Sequence, residues 1–388
     1  MLPKIAWIVG GLLVLIPMAA PAVLDLPIGE NGYNVVSLQI GTPGKNFQFL
    51  FDTGSSTSWV VDGACASSAC PNFSGYNRTG YLVEDSSTGK SRGRKASIDY
   101  LGGSTTGDVV DDVFSDGKTS WVQSFISATR SSWSDLPADG FLGLSFDTIS
   151  VGGTSTVMHT LMSKLDKPRF GLYYNNSLTQ GPGTGGLLTL GDSRESRFVH
   201  QPMAKIPVVQ RGGQYDVWRT RFRGITVRTS GGNVKHVENG KRSASKHVSF
   251  DSGNAIFDTG ACNIDLDKTK ISDVYKALGW DWAQLWRNER ILKCTEFNSS
   301  WSVTFEFGPD KATASEVTLT GDQLARPGLV NRADACWPPF VEGSSYKGFS
   351  LFGTLFLKQV YTVWDFGSHE VSGYNPTLSF GNTKQKVE

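Results

Sequence analysis

The stretch "NFQFLFDTGSSTSWVV", residues 46–61, decides the fold. Apolar residues lead directly into Asp52, and a second apolar run begins at Trp59. An unpaired charge is costly to bury, because its hydration is lost without replacement. The place of Asp52 at the end of an apolar run therefore predicts that its carboxylate is either exposed in a turn or paired with another group.

A second copy of this pattern lies two hundred residues further on, in "NAIFDTGACNI", residues 254–264. An Asp-Thr-Gly triplet alone occurs easily by chance, but each copy is followed by an apolar pair and a glycine, "FLG" at 141–143 and "LFG" at 351–353. The triplet glycine and this later glycine are 89 residues apart in the first half and 93 in the second. This recurrence predicts an internal repeat, with two similar lobes related by a pseudo-two-fold axis. The predicted partner of Asp52 is then Asp258.

The composition favours a mostly β protein of two domains. The chain has 388 residues with 44 glycines, and strand-like apolar runs alternate with Gly, Ser, Thr and Asn clusters. A net charge of +1 gives no sign of nucleic-acid binding. The five histidines are scattered, which argues against a zinc site, and we expect neither a metal nor a cofactor.

The N-terminus is typical of a secretory signal peptide. Lys4 precedes an apolar segment over residues 5–24, and Ala20-Pro21-Ala22 fits a small-x-small cleavage site, so we assign residues 1–22 to the signal. The alternative is a signal anchor, although Pro17 and Pro21 would break the end of its helix. Secretion permits disulfides, and five cysteines forming two bridges allow 15 connectivities. Four glycosylation triplets, which also occur by chance, fit this route: Asn72, Asn77, Asn175 and Asn298.

The repeated motifs and their surroundings resemble the pepsin-like aspartic proteases over residues 23–380. The resemblance implies a bilobal β fold with the active cleft between the lobes. The stretch "LLTLGDSRESRFVHQPMAKIPV" resembles the crossing between them, which places an N-terminal lobe at 23–195, a C-terminal lobe at 196–380 and a tail at 381–388.

The resemblance also assigns roles to individual residues. It implies a catalytic pair, residues that support the pair, a mobile flap with its apolar surroundings, and two disulfides. The catalytic pair is Asp52 and Asp258, and the residues that support it are Thr53, Gly54, Ser55, Thr259 and Gly260. The flap and its apolar surroundings are Tyr100, Gly103, Ser104, Trp59, Leu50 and Phe141, with Trp133 near. The disulfides are Cys65–Cys70 and Cys294–Cys336.

Two facing carboxylates cannot both ionise cheaply, so they share one proton. The ionised member can take a proton from water while the protonated member polarises a peptide carbonyl. We therefore expect a secreted, monomeric aspartic endopeptidase that cuts protein or peptide substrates between apolar residues at acidic to mildly acidic pH. A vacuolar or cell-wall destination also fits. No nucleic-acid partner is expected, and no stable membrane insertion after the signal is removed.

The chain departs from the family pattern in three places. Ala261 follows the second triplet, where a hydroxyl residue is usual. Cys262 is the odd cysteine, and we interpret it as a small buried residue, with a redox role as the alternative. Cleavage near Ala22 leaves about 30 residues before Asp52, as in a mature enzyme of the family, so either no plugging prosegment exists or the gene model is short.

Other readings of the sequence remain open. Asp251 lies in a second candidate triplet, but its setting favours a turn residue. Residues 219–248 carry eight Lys or Arg against one acid, which predicts a solvated loop or a docking surface for acidic partners.

A silent binding or inhibitor protein on the same fold would usually lack an aspartate or the flap tyrosine. A glycoside hydrolase with paired carboxylates would not need the duplicated triplets.

Overall fold

A computed structural model describes residues 22–30, 34–175, 185–200, 202–230, 236–238, 241–311, 314–343 and 348–384. Residues 1–21 of the predicted signal and residues 385–388 of the predicted tail lie outside this range. Ala22 is described, and its backbone donates a hydrogen bond to Lys164 O (2.8 Å) and accepts one from Asp166 N (3.1 Å). Ala22, the last residue assigned to the signal, therefore takes part in the described fold, and the cleavage position stays a prediction.

The described chain is mostly β, as predicted. Its strands up to the expected lobe boundary are β1 Leu24–Glu30, β2 Asn34–Ile40, β3 Lys45–Asp52, β4 Trp59–Val61, β5 Lys90–Asp99, β6 Ser104–Ser115, β7 Ser120–Ser131, β8 Gly140–Gly143, β9 Arg169–Tyr174 and β10 Gly186–Leu190. Those beyond it are β11 Lys205–Pro207, β12 Arg219–Ser230, β13 His236–Glu238, β14 Lys241–Phe257, β15 Ile264–Asp267, β16 Leu292–Lys293, β17 Trp301–Phe307, β18 Ser315–Thr320, β19 Ala335–Cys336, β20 Val341–Gly343, β21 Phe349–Phe352, β22 Tyr361–Asp365 and β23 Thr377–Gly381. The α-helices are short: α1 Val157–Leu161, α2 Glu195–Phe198, α3 Ile271–Leu278, α4 Trp282–Trp286 and α5 Thr354–Leu357.

The strands form two large sheets, one of which joins the two halves of the chain. Its order is β11-β23-β22-β9-β10-β1-β2-β3-β8-β4-β7-β6-β5. The second half builds a sheet in the order β18-β17-β12-β14-β21-β15-β20, with β13 paired to β14. Because β22 pairs antiparallel with β9, the end of the chain returns to the first half. The bilobal arrangement is thus held together by a shared layer of strands.

The repeated sequence signature has a structural counterpart in each half. In the first, β3 and β8 are parallel neighbours, and in the second, β14 and β21 are. A Cβ atom on Gly143 would lie 2.3 Å from the backbone of Ser56, and one on Gly353 would lie 2.4 Å from Ala261 O. Each later glycine therefore lets its strand approach the loop that carries the aspartate, which explains why the two motifs recur together.

Beneath the β5–β6 hairpin lies a compact apolar cluster. It includes Leu50, Trp59 and Phe141, which are 2%, 0% and 3% exposed. The disulfides Cys65–Cys70 and Cys294–Cys336 are both present, as the resemblance implied.

Two expectations about the second half are wrong. The described part of the basic stretch is no loop, because β12 and β14 pair along most of their length. Asp251 lies within β14 rather than in a turn. Extended pairing of both segments overrides their polar composition.

Within the described residues, no helix is long and apolar enough to cross a membrane. The same residues contain no group of three or more His, Cys, Asp or Glu side chains placed to hold a metal ion.

Candidate active site

The two Asp-Thr-Gly loops bring Asp52 and Asp258 face to face. In each loop the glycine N–H donates to the aspartate two residues earlier, Gly54 to Asp52 Oδ1 and Gly260 to Asp258 Oδ1, both at 2.8 Å. The two carboxyl groups lie close enough for each to affect the pKa of the other. A Cβ atom on Gly54 would lie 2.6 Å from Asp258 Oδ2, and one on Gly260 would lie 2.7 Å from Asp52 Oδ1. Any side chain at either glycine would therefore push the carboxyls apart.

Thr53 and Thr259 join the two loops beneath the carboxyls. The backbone N–H of each threonine donates to the hydroxyl oxygen of the other, at 3.0 Å in both directions. Each hydroxyl in turn donates to a backbone oxygen of the opposite strand, Thr53 to Phe257 O at 3.0 Å and Thr259 to Phe51 O at 2.7 Å. Both threonines are buried, so these four bonds fix the separation of the loops without competition from water.

The environments of the two carboxyls differ. Burial raises the pKa of Asp52, while hydrogen bonds from the Ser55 hydroxyl and the N–H groups of Gly54 and Ser55 oppose that rise. Burial and the negative charge of Asp52 raise the pKa of Asp258 much further, although hydrogen bonds from the N–H groups of Gly260 and Ala261 oppose that rise. Since Ala261 has no hydroxyl, Asp258 lacks the donor that Ser55 supplies to Asp52. The two carboxyls therefore differ in the donors that stabilise their ionised forms.

Tyr100 lies at the end of the β5–β6 hairpin, over an aromatic group. Its ring centroid is 5.5 Å from that of Trp133 and 5.3 Å from that of Phe141, and Trp59 stacks on Phe141 at 5.1 Å. Its hydroxyl is buried and faces Trp59 and Ser55, but it makes no hydrogen bond within 3.5 Å to any described residue. The tyrosine is therefore held by ring contacts rather than by a polar anchor.

Gly103 and Ser104 close the hairpin beside Tyr100. Tyr100 N donates to Gly103 O at 2.7 Å, and Ser104 N donates to Ser132 Oγ at 2.7 Å. A Cβ atom on Gly103 would lie 2.7 Å from that same Ser132 oxygen. These two residues shape the turn that carries Tyr100.

A cleft of about 870 Å³ runs over the two aspartates. Tyr100, Phe141 and Trp133 are among the residues that line it. Leu50, which was expected in the pocket, lies instead in the core cluster behind Phe141. Leu50 pairs with Val35 of β2, and both side chains are buried in that cluster. Trp59 lies in the same cluster.

The cleft contains polar residues that the sequence reasoning missed. Asn263, Asp265 and Glu342 line the side formed by the second half of the chain. The sequence pattern could have indicated Asp265, because in the strand "IDLD" it alternates with Ile264 and Leu266, which are both buried.

Cys262 also lies at the cleft. All five cysteines are in the described part of the chain, and this one is unpaired. Its side chain is exposed, so the interpretation of Cys262 as a small buried residue is wrong. Partial loss of hydration around the sulfur nevertheless raises the pKa of the thiol, which disfavours the reactive thiolate.

Comparison with known proteins agrees with this geometry. A sequence profile of the eukaryotic aspartyl protease family matches residues 33–373. The chain is 29% identical to cathepsin E of Rattus norvegicus, over 86% of its own length and 78% of that protein. It is 27% identical to a vacuolar aspartic protease of Candida albicans (91% and 78%) and 31% identical to rhizopuspepsin-3 of Rhizopus niveus (84% and 74%). The chain therefore belongs to the eukaryotic aspartyl protease family and is an aspartic-type endopeptidase.

Proposed function

We propose that the protein hydrolyses peptide bonds by means of a water molecule activated between Asp52 and Asp258. The observation that carries this proposal is that the carboxyls of Asp52, which is buried, and of Asp258, which is partly exposed, face each other in the cleft. One shared proton makes the pair both a base and an acid, which is what addition of water to an amide requires.

The unequal surroundings of the two carboxyls support a division of roles, with the shared proton on Asp258. Ionised Asp52 takes a proton from water as the water oxygen bonds to the peptide carbon, and Asp258 gives its proton to the carbonyl oxygen. When the tetrahedral intermediate breaks down, Asp52 protonates the leaving nitrogen as the C–N bond breaks. Asp258 recovers its proton from the hydroxyl group, so the pair returns to its starting state without a covalent intermediate.

The lining of the cleft supports a preference for apolar residues beside the scissile bond. Tyr100, Trp133 and Phe141 meet there, and Ile149, Val151 and Leu351 extend the apolar lining. Burial of a Leu, Phe or Met side chain against such a surface contributes about 1.5–3 kcal/mol. A peptide library should therefore show these residues before the cleaved bond, and strict selection of Lys or Asp at that position would contradict the proposal.

Secretion from the cell is the destination that best fits the chain. Two disulfides favour an oxidising compartment, and Asn72, Asn77 and Asn298 are exposed, whereas Asn175 is half-buried. Expression in a eukaryotic host should release a protein whose mass falls on deglycosylation; retention inside the cell without sugar would contradict secretion.

A statine-containing peptide tests the proposed chemistry. Its tetrahedral hydroxyl mimics the hydrated peptide, and such mimics bind about 10² to 10⁸ times more tightly than substrates. We expect competitive inhibition of peptide cleavage, and at least 100-fold weaker binding of the matched peptide that lacks the hydroxyl. Equal binding of the two peptides would show that the carboxyl pair does not recognise the tetrahedral state.

A further inference from the structure

Asp265 is a cleft carboxylate that the proposed chemistry does not use. It lies on β15, which leaves the loop of Asp258, and it lines the same cleft as both aspartates. Its neighbours Ile264 and Leu266 are fully buried, whereas Asp265 is half-buried. Because side chains alternate along a strand, this pattern turns the Asp265 carboxylate toward the cleft side of β15.

The Asp265 carboxylate is only partly compensated. Its Oδ1 atom is shielded from solvent and has no hydrogen-bond partner among the described residues. Arg326 is the cation that acts on it, but two nitrogens of that guanidinium donate elsewhere, to Asn263 Oδ1 and to Pro338 O. The remaining nitrogen, Arg326 Nε, is buried and also has no hydrogen-bond partner among the described residues. Because Asp265 is only half-buried and lines the cleft, its carboxylate can accept a hydrogen bond that a ligand brings.

The other ionisable groups around Asp265 do not supply that donor. Glu342, on the neighbouring strand β20, also lines the cleft and adds negative charge. Asp258 and Cys262 lie on the preceding loop, and neither carries a positive charge. On this side of the cleft Arg326 is therefore the cation that acts on Asp265, but it makes no hydrogen bond to Asp265 Oδ1.

We infer that Asp265 forms an anionic subsite that receives a Lys or Arg side chain of the bound peptide, at a position other than the residue before the cleaved bond. This specificity rests on the proposed function, because the peptide that it selects is the substrate of the carboxyl pair. A Lys ammonium brings three donors and a positive charge, and Glu342 at the rim reinforces the attraction. The enzyme would then combine apolar side chains around the scissile bond with one basic side chain held beside them.

The subsite should depend on pH in a defined direction. Burial raises the pKa of Asp265 to about 6, while Arg326 opposes that rise. Above that pH the group is mostly ionised and attracts a cation, and below it the group is mostly neutral. Selection of Lys should therefore strengthen as the pH rises from 5 to 7.

Matched peptides test the inference. Each position of an apolar substrate is replaced in turn by Lys or by norleucine, which has a similar length but no charge, and kcat/KM is measured at pH 5 and pH 7. One position should favour Lys about tenfold at pH 7, the effect of roughly one charge-assisted hydrogen bond. At pH 5, with about a tenth of Asp265 ionised, the preference should fall to about twofold.

Two variants locate the effect. Asp265→Asn keeps the size of the side chain but removes the charge, so the Lys preference and its pH dependence should both disappear while cleavage of the norleucine peptide continues. Asp99→Asn removes a carboxylate from the flap side of the same cleft and should leave the Lys preference in place. Equal loss in both variants would mean that the general negative potential of the cleft, not Asp265, selects Lys.

A binding measurement separates this inference from the proposed chemistry. Lys and norleucine peptides with a reduced, uncleavable bond are titrated into the wild type and into Asp265→Asn. Tighter binding of the Lys peptide to the wild type alone supports the subsite even if no peptide is cleaved. Absence of Lys preference in both kcat/KM and binding, at every position and at both pH values, overturns it.

Discussion

Substituting serine for Ala261 should move the alkaline limb of the kcat/KM profile toward lower pH. In the first loop the Ser55 hydroxyl donates to Asp52, while in the second Ala261 has no side-chain donor to offer Asp258. The pseudo-symmetry of the loops places a new hydroxyl at residue 261 within reach of Asp258. A donor to the ionised carboxylate stabilises the charged form, so the pair loses its shared proton at lower pH.

The size of the shift follows from one hydrogen bond to a charged group. Such a bond contributes about 1.5–3 kcal/mol, and one pKa unit corresponds to about 1.4 kcal/mol, so the upper limit is about one to two units. Asp258 already accepts hydrogen bonds from the N–H groups of Gly260 and Ala261, so we expect a pKa shift near the lower end of this range. With Ala261 in place, activity should extend above about pH 5.

The assay is kcat/KM on one apolar peptide across the pH range, for the wild type, Ala261→Ser and Ser55→Ala. The last variant removes the donor to Asp52, which should raise the pKa of Asp52 and move the acidic limb upward instead. Opposite movements of opposite limbs would be hard to obtain from a general loss of stability. If the alkaline limb of Ala261→Ser stays in place or moves upward, the hydrogen-bond account of Ala261 is wrong.

Two further predictions concern residues away from the reacting atoms. In a denaturant titration, Thr53→Val should lower the free energy of unfolding by about 1–3 kcal/mol, because Phe257 O and Thr259 N lose their hydrogen-bond partner. Thr53→Ser keeps the hydroxyl and should lower the free energy of unfolding far less. Leu50→Ala should cost about 2–5 kcal/mol in the same measurement, because it opens a cavity in the core cluster, but it should leave the cleavage-site preference in a peptide library unchanged. A changed preference would place Leu50 back at the cleft.

The sequence predicted the parts of the structure that repeat. Asp52 ends an apolar strand, Asp258 ends another, and the later glycines keep nearly the same spacing, so the two facing loops followed from pattern alone. The roles of Gly54 and Gly260 followed from the same pattern, since a facing pair leaves no room for a Cβ atom.

The parts that depend on tertiary pairing did not follow. The position of Leu50 is set by which face of β3 meets the core, and strand polarity alone could not decide it. The return of β22 to β9 joins residues nearly two hundred positions apart. Asp265 alternates with Ile264 and Leu266 in the sequence, but only the packing shows that it lines the same cleft as the two aspartates.

The most direct test of the central claim is peptide hydrolysis by Asp52→Asn and Asp258→Asn, each compared with the wild type at its own pH optimum and checked for an unchanged thermal melt. Each asparagine keeps the shape of the loop but removes one member of the proton-sharing pair. We predict that both variants retain the fold and lose several orders of magnitude in kcat/KM, since general acid and base contributions are each about 10²–10⁴-fold. A folded variant that keeps wild-type turnover would contradict the assignment of Asp52 and Asp258 as the catalytic pair.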